Sequence, residues 1–264
     1  MPNIQFQRNP LINVVCQVRF PPILTISEAL PVKFQEELRH QYPQFKTSIE
    51  QQFHFNFEQD KSGSLLTPAI DQTDTAKNYH FASADSVWAV NLTNTFLAVS
   101  TSNYSTWEEF KDRVQTIVTV FNRLYSPAFF ERVGLRYINA IQRTKLGVSP
   151  DIQWTEFIHP FALGFLSDDV MRDKISGFNS TTEINNDSGI MTRIVTALGQ
   201  VKNSANTEQY APEISFIIDT DSFFGKIVNV NDGLALDRLH QAATEAFQFI
   251  ITEKLCEVME PMPI

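Results

Sequence analysis

The sequence predicts an α+β protein built as two tandem repeats, each running strand, helix, antiparallel sheet and long helix. Three observations predict it. Phe53, Phe55 and Phe57 alternate with His54, Asn56 and Glu58 at strand spacing. Apolar residues at helical spacing recur over residues 107–124 and again over 236–255. The order of elements also restarts near Glu131.

Each element has a local reason. Residues 11–20, LINVVCQVRF, are rich in β-branched side chains and lie between Asn9-Pro10 and Pro21-Pro22, so proline punctuates a strand at both ends. Pro31 suits a first helical turn, and Phe34, Leu38 and Tyr42 then repeat every four residues. After the strand at 52–58, a polar loop leads to strands at 78–84 and over 86–101, the latter folded back at Thr93-Asn94 as a hairpin. Ser105-Thr-Trp-Glu108 has the form of a capping box. Trp107, Phe110, Val114, Ile117, Val118, Phe121 and Leu124 share one face of the helix that follows.

The second half repeats this order. Residues 131–143 read as a strand whose Gly-Leu-Arg-Tyr (134–137) parallels the Gln-Val-Arg-Phe of 17–20, an offset of 136 − 19 = 117. A weaker helix over 154–165 is interrupted by Pro160. Strands follow at 178–185, 190–201, 213–220 and 226–230, and Leu236, Leu239, Ala243, Phe247, Ile250 and Leu255 mark a second long helix. The repeats are expected to span residues 1–127 and 128–264, with the strands of Arg19 and Arg136 central. Such sheets bury their apolar faces only against the long helices, an order similar to the helix-grip and TATA-binding-protein-like architectures. The chain holds 22 phenylalanines. Phe110, Phe121, Phe20, Phe130, Phe247 and Phe249 are expected to fill the interfaces between sheet and helix.

Composition narrows the function classes. A 264-residue chain that is 43% hydrophobic is a folded globular protein, and a net charge of −9 argues against a dedicated nucleic-acid binder, which needs a basic face. Cys16 and Cys256 are too few for a disulfide framework or a zinc site, so free thiols in a reducing cytoplasm are expected. No apolar run reaches the length of a membrane span, about 18 residues. Hydrolase, P-loop and dinucleotide-binding motifs are absent, and no cofactor is expected. With 9 glycines and no glycine-rich loop, any anion site must rely on side chains.

At QVRF, at the capped long helix and above all at RVGLRYIN (residues 132–139), the chain resembles a bacterial family catalogued as sporadically distributed proteins. The resemblance extends from NPLINVV at its start to FQFIIT in the final helix. It implies a patchy occurrence of the kind associated with mobile or defence-related genes, and it carries no catalytic residues over.

Candidate chemistry centres on arginine. Strand alternation puts Arg132 and Arg136 on one face, and puts Arg19 with Gln17 and Val15. If those faces line a groove, the guanidiniums hold a carboxylate or phosphate through paired hydrogen bonds. The alternative is an internal ion pair with Asp or Glu of a neighbouring strand. His54 beside Asn56 and Glu58 suits a metal or acid–base role only with ligands from elsewhere, and otherwise forms a solvated face. Cys16 reads as a core thiol, and His40, His80, His159 and His240 as structural or surface residues. The polar stretches 71–77 and 202–209 are natural contact points for a partner. Together these features indicate a ligand- or protein-binding module, with a homodimer among the options, more than an enzyme. The alternative is a hydrolase or nucleotide-processing enzyme whose site, between the repeats, includes Arg19, Arg132, Arg136 and His54.

Overall fold

In a computed structural model, residues 4–49, 77–186, 189–203, 206–210, 213–225 and 234–263 are described. The first half supplies β1 (Ile4–Phe6), β2 (Leu11–Arg19), α1 (Leu24–Glu28), α2 (Val32–Leu38), β3 (Gln44–Ile49), β4 (Lys77–Ala82), β5 (Trp88–Leu92), β6 (Phe96–Thr101) and α3 (Trp107–Tyr125). The second supplies β7 (Arg132–Ile141), α4 (Pro160–Leu163), β8 (Asn179–Asn185), β9 (Ile190–Gly199), β10 (Lys202–Asn203), β11 (Asn206–Tyr210), β12 (Ser215–Phe224), α5 (Leu234–Ile250), α6 (Glu253–Val258) and β13 (Pro261–Pro263). The α+β class is therefore correct.

Among the described residues, nine strands form one antiparallel sheet in the order β3-β4-β5-β6-β2-β7-β12-β9-β8. The strands of Arg19 and Arg136 lie side by side within it, and Gln17 pairs with Gly134, flanked by Cys16 with Leu135 and Val18 with Val133. Within this sheet β2 pairs with β6 in the first half and β7 with β12 in the second, while the short β1 and β13 pair with each other in a separate two-stranded sheet. The sheet thus runs without interruption from one half into the other.

Burial alternates along the central strands because one sheet face is covered. Val14, Cys16 and Val18 of β2, Val133 and Leu135 of β7, and Ser222 and Phe224 of β12 are buried. The apolar stripe of α3 covers this face, Phe121 lying 4.7 Å from Phe20 and Phe110 5.8 Å from Trp88. This core also takes Ala235, Leu236 and Leu239 from α5, so one apolar cluster spans both halves. A second cluster gathers Phe216 and Ile218 of β12 with Trp154, Phe157 and Ile250. Burial drives the Cys16 thiol up to about 12, in keeping with a core thiol.

Several elements differ from expectation. Strand β3 is additional to the expected elements; among the described residues it lies at the edge of the sheet and its last five residues are exposed, so it has no buried alternation to read. The expected strands at 52–58 and 226–230 lie outside the described residues. The cap of α3 sits one residue later than the Ser105–Glu108 pairing: Thr106 is the N-cap and accepts from the Glu109 N–H at 3.2 Å. Ser105 donates instead to the Glu109 carboxylate. The second long helix stops at Ile250, because Thr252 caps a new helix, α6, by accepting from Leu255 N–H. The stretch 154–165 is a 3-10 turn, then α4, then the start of a second 3-10 turn at Gly164, with Pro160 opening α4, where its missing N–H costs nothing. Phe249 is 67% exposed and fills no interface.

Candidate functional site

Four of the five site residues singled out from the sequence share one place, and the fifth, His54, lies outside the described residues. Arg19, Gln17, Arg132 and Arg136 lie on the sheet face opposite the helices, as alternation requires. Asp219 and Asp221 of β12, two apart, rise on the same face beside them. The Arg136 guanidinium forks onto Asp219, Nε to Oδ1 at 2.7 Å and a terminal nitrogen to Oδ2 at 2.5 Å. Arg132 reaches Asp221 at 2.7 Å and lies 4.2 Å over the ring of Phe223. Gly134 leaves room for that pose, since a Cβ there would stand 2.3 Å from the Arg132 guanidinium. Two of the three arginines thus form internal ion pairs.

Gln17 is half-buried between Ala98 and Gly134, its partners in register. Arg19 is exposed, lies opposite Arg132, and makes no ion pair among the described residues. His54 lies outside them. Removing the Arg136 partner isolates an Asp219 side chain that is only 14% exposed, while Arg136 itself is 42% exposed and partly screened. Arg136→Met is expected to lower stability by about 1–2 kcal/mol, read from the urea midpoint.

A different place gathers more chemistry. On the helix-covered side, between the start of α3 and the middle of α5, lies a cavity of about 140 Å³. First-half residues Tyr104 and Trp107 meet second-half residues Tyr137, Asn139, His240 and Phe247 in its wall. Tyr137 projects from β7 on the face opposite Arg136, and His240 comes from the sheet-facing side of α5. The Tyr137 hydroxyl and His240 Nδ1 are hydrogen-bonded at 2.7 Å. Trp107 stacks on the His240 ring at 4.3 Å and 7°, and its indole N–H donates to Asp237 at 2.8 Å. Lys111 pairs with the same carboxylate at 2.6 Å.

Electrostatics fix the protonation states. Burial, reinforced by neighbouring Tyr104, holds the Tyr137 hydroxyl well above its ordinary value, so it keeps its proton. Burial lowers His240 to about 4 against the opposing pull of Glu108 and Asp237, so the imidazole is neutral at pH 7. With Nδ1 bonded to Tyr137, Nε2 has no hydrogen-bond partner among the described residues. The cavity therefore combines aromatic walls with a neutral, partly used hydrogen-bonding pair.

The depressed histidine makes stability pH-dependent. Unfolded, the ring takes up a proton near pH 6.5, whereas folded it resists until about 4. The unfolded state therefore binds more protons between those values, and stability falls as pH drops from 6.5 to 4. The groups facing His240 are Glu108, Asp237, Lys111, Tyr104 and Tyr137. The expected loss is on the order of 3 kcal/mol. Urea unfolding at pH 7.0 and 4.5 checks it: His240→Asn, which does not titrate, should lose markedly less than the parent protein.

The sequence pattern reads His240 as a structural or surface residue and does not mark Tyr104, Trp107 or Asn139 as site residues. One signal was present: a histidine on the apolar side of a helix, between Leu236 and Ala243, is a polar group where burial is expected. No protein-family model matches the chain, and no curated protein is similar enough to count as a relative.

Proposed function

We propose that the protein is a cytoplasmic ligand-binding module of two equivalent halves, which seats a small molecule in the cavity at their junction. The observation that carries this reading is the convergence of rings from both halves around the Tyr137–His240 pair. A cavity near this volume takes up a benzene-sized molecule when its walls are apolar, and a few placed polar groups give such a site orientation.

Equivalence of the halves rests on strand order and register. The echo between residues 17–20 and 134–137 sets an offset of 117, and residues related by a twofold axis at the β2–β7 junction must meet their own equivalents there. Gln17 pairs with Gly134, and 134 − 17 = 117. A helix-grip or TATA-binding-protein-like ancestry, and the resemblance to the sporadically distributed family with its mobile or defence-related setting, belong to the same reading. The enzyme alternative draws on Arg19, Arg132, Arg136 and His54; the three arginines lie across the sheet from the cavity, which favours binding, and His54 lies outside the described residues. A second reading keeps an anion on Arg19, favoured by its exposure and by its lack of an acidic partner among the described residues.

Phenol, a ring with one hydroxyl, is a suitable probe. It is expected to raise Tm in a thermal-melt titration, and Ala243→Leu, which fills the cavity from a position only 2% exposed, is expected to abolish the shift. No shift with the parent protein, or a shift that survives Ala243→Leu, would count against the cavity as the site.

A further inference from the structure

Resting on the reading of the cavity as a ligand site, we propose that its ligand is a small organic cation, a quaternary or fully alkylated ammonium of about choline's size. Six rings line the cavity: Phe6, Tyr104, Trp107, Tyr137, His240 and Phe247. Aromatic faces carry the negative side of the ring quadrupole and attract a cation, most strongly where water is excluded.

The charge in the cavity wall is negative. Among the described lining residues Glu108 is the only one with a formal charge, and none is a lysine or arginine. Glu108 is exposed, which places its carboxylate at the rim, where an incoming cation passes. Burial keeps His240 uncharged, so the imidazole offers no competing positive charge. The charge of Lys111 is taken up by Asp237, 2.6 Å away. The start of α3 contributes a partial positive charge, about half an elementary unit, which Glu108 in its first turn opposes; Glu109 beside it is paired with Arg113. An anionic ligand would meet the Glu108 carboxylate with no cation in the wall to offset it.

Hydrogen bonding separates alkylated from primary ammonium. A primary ammonium brings three donors that need acceptors once stripped of water. A quaternary nitrogen brings none, so its methyl groups lie against rings without leaving a donor unpaired. About 140 Å³ accommodates a tetrahedral head of this kind.

The test compares choline with 3,3-dimethylbutan-1-ol, which replaces the nitrogen with carbon and keeps the shape. Titration calorimetry on the full chain at low salt should show choline binding about tenfold or more tightly than the alcohol. Glu108→Gln should weaken choline severalfold and leave phenol binding unchanged. Equal affinity for choline and the alcohol, or phenol binding without choline binding, would overturn the cation inference while the cavity stands. Choline affinity unchanged by Glu108→Gln would overturn the role of the rim carboxylate in selecting charge. Failure of choline, the alcohol and phenol together would remove the cavity reading as well.

Discussion

Phe121→Ala is expected to lower stability by about 3–5 kcal/mol, with Tm falling on the order of 10 °C. Phe121 is fully buried. Its ring packs 4.7 Å from Phe20 at the end of β2 and 5.3 Å from Tyr125 one turn along α3. Removing it takes away the transfer energy of a phenyl group and leaves a void that β2 and α3 cannot close, because the sheet pairs β2 on both sides. Phe249→Ala is the control. That ring is 67% exposed and touches Phe161 at 4.9 Å on the surface, so its loss should cost less than about 1 kcal/mol. Urea denaturation of both variants measures the contrast, and similar losses would show that α3 is not the principal cover of the sheet.

Separating the halves is expected to abolish folding of each. A chain of residues 1–127 would lose Val133, Leu135, Phe224, Leu236 and Leu239 from the core it shares with the second half. It would also expose the whole inner edge of β2, which pairs with β7 from Leu11 to Arg19. Residues 128–264 would expose the matching edge of β7. The measurement is a thermal or urea transition of each half, with the full chain beside it. A cooperative transition in either half alone would show that the halves fold independently. Mixing the two halves should restore the transition, since the missing contacts are all supplied by the other piece.

The legible parts of the fold were those in which burial stamps a period on the chain. Strand β2 between its prolines, the hairpin of β5 and β6, and the stripe of α3 all bury one face, and all were readable. Strand β3 buries almost nothing and was not. The cap of α3 was ambiguous, because Ser105 with Glu108 and Thr106 with Glu109 fit the same motif one residue apart, and only backbone geometry chooses between them.

The arginines were legible as strand residues, and their partners were nearly so: Asp219 and Asp221 sit two apart in a strand and therefore share a face. The pairing of β12 with β7, which brings the two sets together, is a long-range fact that alternation does not contain. The cavity was less legible still. Tyr104, Tyr137 and His240 are separated by 33 and 103 positions and belong to no spacing motif, so only the packing of α3 and α5 on one sheet makes them neighbours.

The ladder between β2 and β7 also has a consequence for dilution. Were the two halves separate chains, this junction would be an association equilibrium, and the protein would fall apart at low concentration. The link between α3 and β7, residues 126–131, is six residues long, so one half meets the other at an effective concentration on the order of millimolar, however thin the solution. Assembly becomes a unimolecular step whose extent is the same at nanomolar and micromolar protein. A cavity walled by both halves then keeps its shape at whatever copy number a cell maintains.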